Sequence, residues 1–69
     1  MRISARNRLE GKIVDIVKGQ TTAHVRIDVS GTIVTAAITN EAVDELQLKV
    51  GQKAIAVVKA SDVMVAIDD

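Results

Sequence analysis

The 69-residue sequence contains no cysteine, no proline and no aromatic residue, and its charges cancel. Without cysteine there is no disulfide framework, and redox chemistry says nothing about compartment. One histidine and no thiol leave a structural zinc site short of ligands. Bases have no ring to stack on, and nine Lys and Arg against nine Asp and Glu give no basic excess. Both usual marks of a nucleic-acid binder are therefore missing. The start, Met1-Arg2-Ile3-Ser4, has no apolar stretch of signal-peptide length, and no later run is long enough to span a bilayer. No nucleic acid, no membrane and a cytoplasmic location are the expectations.

What is abundant is β-branched aliphatic surface. Hydrophobic residues make up 48% of the chain, with 19 Val and Ile against 3 Leu. Such side chains suit a pleated, half-buried surface. A chain this short, read as one domain over residues 1–69, buries only about 60% of its unfolded surface. With no disulfide or metal to help, self-association is expected to cover the remaining apolar area.

Five strands can be placed. Leu9 to Lys18 holds Gly11 and the doubled pairs Ile13-Val14 and Ile16-Val17, which suggest a bent or bulged strand. After a turn at Gly19-Gln20, Thr21 to Val29 alternates cleanly, with Ala23, Val25, Ile27 and Val29 on one face and His24, Arg26 and Asp28 on the other. Ser30-Gly31 turns the chain into Thr32 to Ile38. Thr39-Asn40-Glu41 has the form of a helix start, a cap followed by an acid in the first turn. Val43, Leu46 and Leu48 supply the apolar side of this helix, and Lys49 and Gly51 its close. Lys53 to Lys59 and Val63 to Ile67 complete the set, with Asp68-Asp69 as a frayed end. An all-β, five-stranded OB-like barrel with one short helix between strands 3 and 4 follows, closure removing the edges such strands expose.

Two polar strings stand out against this frame. Ser4-Ala5-Arg6-Asn7 precedes the first strand, and Lys59-Ala60-Ser61 lies between the last two. Arg6 alone reads as a terminal surface charge and Lys59 alone as a strand-end lysine. Together they form a set of N–H and O–H donors with two positive charges, which is the chemistry of an anion site. Asn7 suits a turn or backbone-bonding role, and Thr39 a helix cap that can also face an anion. No carboxylate belongs to the set, although Asp62 follows it closely. His24 reads as surface. Glu10, Asp15, Asp28, Asp44 and Glu45 form no acid–base pair, and Ser4 and Ser61 lack a neighbouring base, so no catalytic residue and no enzyme activity are expected.

Ile3-Ser4-Ala5-Arg6-Asn7, the following Leu9-x-Gly11, Ala37-Ile38-Thr39 and Val58-Lys59-Ala60-Ser61 together resemble the molbindin (Mop) family, small molybdate-binding proteins made of a single TOBE-type domain. The resemblance implies a hexamer, a trimer of dimers, that binds molybdate or tungstate between subunits for molybdenum storage or homeostasis, with no covalent cofactor. It implies a main site of Ser4, the Ala5 amide, Arg6, Thr39, Lys59, Ala60 and Ser61, part of it from a neighbouring chain. A second class of site falls on the turn Lys18, Gly19, Gln20, Thr21, Thr22. Related domains often carry serine where this chain has Ala42, so one hydroxyl contact is absent. The alternative is a ligand-sensing regulatory domain of a molybdate transport or transcription system.

Overall fold

The computed structural model describes residues 1–68. Four strands, β1 (Asn7–Lys18), β2 (Thr22–Val29), β3 (Thr32–Thr39) and β4 (Lys53–Val58), form one antiparallel sheet in the order β3-β2-β1-β4. A single helix, α1 (Asn40–Glu45), separates β3 from β4, and one 3-10 turn (Ala60–Asp62) follows β4.

β1 carries the sheet by dividing its pairing. Asn7 to Lys12 pair with Val58 to Lys53 of β4, and Lys12 to Lys18 pair with Asp28 to Ala23 of β2. The register slips between Ile13 and Asp15, so Val14 is a bulge residue. That slip explains the broken alternation: Ile13 is fully buried, Ile16 packs on the core, and Val14 and Val17 face outward. Gly11 sits where β1 passes from one partner to the other. A Cβ there would lie 2.5 Å from the Asp28 carbonyl oxygen and 2.7 Å from Ile27 Cγ2. Only glycine lets the two backbones come this close.

β2 follows the expected alternation, with Ala23, Val25 and Ile27 buried and His24 and Arg26 exposed. These three join Ile13, Ala56 and, from α1, Val43 as the buried core. The hairpin between β2 and β3 has two residues in its turn, Ser30 (φ 51°) and Gly31 (φ 93°), both left-handed. That pairing matches the twist of the flanking strands, and Asp28 Oδ1 accepts the Gly31 N–H at 2.8 Å.

Thr39 caps α1, its Oγ1 accepting the Ala42 N–H at 3.0 Å. The helix ends earlier than the sequence suggests. Gln47, at φ 52°, takes the left-handed position beyond the last turn, whereas Gly51 (φ 93°) shapes a separate turn that leads into β4. Leu46 is consequently exposed, while Leu48 still packs on the core.

The expected fifth strand is not formed, and the sheet is not a closed barrel. Residues 63–68 have no regular structure, and Met64, Val65 and Ile67 are 93%, 90% and 83% exposed. β3 and β4 remain as edges, and between them runs an apolar groove lined by Val34, Ala36 and Ile38 on one side and Ala54, Ala56 and Val58 on the other. The Val63–Ile67 segment has strand composition but bonds to no edge of its own chain. Asp69, the rest of the expected frayed end, lies outside the described residues.

Two substitutions test this frame. Gly11→Ala should cost about 1–3 kcal/mol, because the obstructing atom is a backbone carbonyl that cannot rotate away. Thr39→Ala should cost about 1 kcal/mol through the lost cap. Guanidinium unfolding of each variant checks both; wild-type midpoints would mean that the crossing and the cap do not matter.

Candidate functional site

The Asn7–Val58 pair sets the site. It places the residues before β1 beside those after β4, and the Asn7 side chain fixes the junction by donating from Nδ2 to the Val58 carbonyl at 3.2 Å. Asn7 therefore has the backbone-bonding role expected of it. Beyond Val58 the chain tightens into the 3-10 turn, where the Asp62 N–H bonds to the Lys59 carbonyl at 2.9 Å.

The two strings meet as a result. Ser4, Ala5 and Arg6 line one concavity with Lys59, Ala60 and Ser61, over an apolar floor of Ile3 and Val57. Among the described residues the ion pairs are Lys18–Asp44 and Arg26–Asp15, and neither uses Arg6 or Lys59. Both cations thus line the concavity without an ion-pair partner among the described residues. The chemistry on offer is charge-assisted hydrogen bonding to an anion.

The concavity holds one further polar residue outside the expected donor set. Asp62 also lines it and brings an acceptor among donors. Its closeness to Lys59 in the sequence was the available signal.

Thr39 does not join this concavity within one chain. It pairs with Thr22, next to the Lys18–Ala23 end of β1, whereas Arg6 precedes the opposite end. A twelve-residue strand separates the two positions, at roughly 3.3 Å of rise per residue. The Thr39 oxygen accepts from Ala42, but its own proton is free for a further acceptor. Ala42 presents only a methyl group beside it.

The turn at residues 18–22 lies at this far end with Thr39. Lys18 Nζ is held 2.5 Å from Asp44 Oδ1. Gly19 donates its N–H to the Thr22 carbonyl at 2.8 Å. Asn40 staples the turn to α1, its side-chain Nδ2 reaching the Gly19 carbonyl at 2.9 Å and its N–H the Thr21 carbonyl at 2.8 Å. Asn40 Oδ1 is buried without a hydrogen-bond partner. The roles of Asp44 and Asn40 depend on how α1 folds back over the turn, which no local pattern announces.

Residues 3–65 match the TOBE domain model. A probable molybdenum-pterin-binding protein of Haemophilus influenzae is 45% identical over 69 residues, covering 99% of this chain and 100% of that protein. The solved structure of a molybdate-binding protein from Sporomusa ovata superposes with a TM-score of 0.93 at 43% identity, covering 97% of this chain and 100% of that one. The cytoplasmic molybdate-binding protein ModG, solved with molybdate bound, superposes at 0.88 with 46% identity, over 93% of this chain and 46% of its own. With the domain model spanning nearly the whole sequence and relatives this similar from end to end, the chain belongs to the TOBE domain family, in its molbindin (Mop) branch.

Proposed function

We propose that the chain is a single-domain, cytoplasmic, non-enzymatic protein that binds molybdate, and equally tungstate, for molybdenum storage or homeostasis. The observation that carries this is the shared concavity, where Arg6 and Lys59, in no ion pair among the described residues, stand with the hydroxyls of Ser4 and Ser61 and the amide of Ala5. A tetrahedral dianion taken from water needs such donors on several sides. Relatives described as molybdate-binding, one of them solved with the ligand, support the choice of anion.

The site is completed between copies. Thr39 is a strand length from Arg6, so its hydroxyl reaches the concavity only from a neighbouring chain. A twofold arrangement gives each pair two equivalent sites, because each copy contributes one end to each. Self-association also has an independent motive in the exposed Val63, Met64, Val65 and Ile67, which no surface of the same chain covers. A hexamer built as a trimer of such pairs is the assembly we infer. The 18–22 turn is the candidate for a second anion site, and Lys18 serves it only by leaving Asp44.

Arg6→Ala and Lys59→Ala should each weaken molybdate binding roughly 10- to 150-fold, the weight of one lost charge-assisted bond, about 1.5–3 kcal/mol. His24→Ala, on the outer face, should leave it unchanged. Titration calorimetry on each variant decides the matter, and unaltered binding in both cation variants would place the site elsewhere. Light scattering should give a hexamer for the parent chain and smaller species for Val65→Asp. A well-folded monomer of the parent at micromolar concentration would remove the interface and the shared site together.

A further inference from the structure

A site built only from donors holds a fully deprotonated oxyanion and excludes one that still carries a proton, because that proton finds no acceptor. This concavity is not built only from donors. Asp62 lines it together with Ser4, Arg6, Lys59 and Ser61. The residue is held in place through its backbone, since the Asp62 N–H bonds to the Lys59 carbonyl at 2.9 Å in the 3-10 turn. Its carboxylate makes no ion pair with either cation of the same concavity, and no hydrogen bond to another side chain, among the described residues. The carboxylate therefore keeps its accepting capacity. It also subtracts one charge from a site that Arg6 and Lys59 would otherwise make doubly positive.

We propose that Asp62 is the specificity-determining acceptor of this site: it admits protonated tetrahedral oxyanions of the hydrogen-phosphate class and lowers affinity for fully deprotonated ones. The proposal rests on the oxyanion reading given above. Two effects of the same carboxylate separate cleanly. As a charge, it repels every anion alike. As an acceptor, it distinguishes ligands that differ by one proton.

Sulfate and hydrogen phosphate make that distinction measurable. Both are tetrahedral and of closely similar size, sulfate is a dianion and phosphate predominantly so on the alkaline side of neutrality, and only phosphate has a proton to donate. The ratio of their affinities therefore isolates the acceptor from the charge. Asp62→Ala removes both functions, and Asp62→Asn removes the charge while keeping a carbonyl oxygen.

Competition of inorganic phosphate and of sulfate against molybdate, at about pH 7.5 where carboxylates are ionised, reads the ratio in the assembled protein. Both variants should bind molybdate and sulfate more tightly, by about two- to fivefold for one exposed charge. Asp62→Ala should lower the phosphate-to-sulfate affinity ratio by roughly tenfold, as expected for one lost hydrogen bond to a charged group. Asp62→Asn should retain part of that ratio. An unchanged ratio in Asp62→Ala, with molybdate binding still lost in Arg6→Ala, would overturn the acceptor role and leave the oxyanion site standing. Loss of none of the anions in Arg6→Ala and Lys59→Ala would overturn both. Light scattering of each Asp62 variant confirms that the assembly compared is the same.

Discussion

The close approach of β1 to β2 at Gly11 is the constraint on which the structure depends. One strand serves two partners, and the change of partner happens within a few residues. A side chain at position 11 would strike the Asp28 carbonyl, so the backbone of β1 can cross there only bare. The bulge at Val14 then restores the inward direction of Ile16. With this crossing go the burial of Ile13 beside it and the position of β4, whose far end leads into Lys59.

Much of this was legible in the residues. The period of two from Ala23 to Val29 gave both faces of β2, and Gly11 with its doubled aliphatic neighbours marked the bend in β1. The two donor strings could be paired before any geometry was known, because few other polar residues stood outside the solvated pattern. What escaped was whatever depended on a partner rather than on a local preference. Val63 to Ile67 has the composition of a strand, but composition does not say which edge a strand will find, and in the single chain it finds none. The end of α1 was misplaced because glycine is the usual left-handed residue, and here Gln47 takes that conformation. Asp62 stands outside the donor set by its charge, and its place in the concavity depends on a 3-10 turn that three residues of sequence do not announce.

The two ends of β1 carry different electrostatic situations. At the Arg6 end the positive groups have no carboxylate paired with them among the described residues, whereas at the Lys18 end the lysine is already held by Asp44. On the proposed reading, an incoming anion would meet available charge at the first and an existing ion pair at the second. Exposed pairs of the second kind contribute little to stability, so Lys18–Asp44 is a weak support of the fold and, in the proposed second site, a competitor of the anion.

The hydrogen bond from Asn7 to Val58 joins residues 51 positions apart. Contacts of that separation must repay the entropy of closing nearly the whole chain, a cost that a local hairpin does not bear. The β2–β3 hairpin, with its two-residue turn, can therefore be in place while the donor strings are still far from each other. The concavity thus depends on the two ends of the chain meeting, whereas the hairpin does not. A chain that loses the β1–β4 pairing loses the concavity with it.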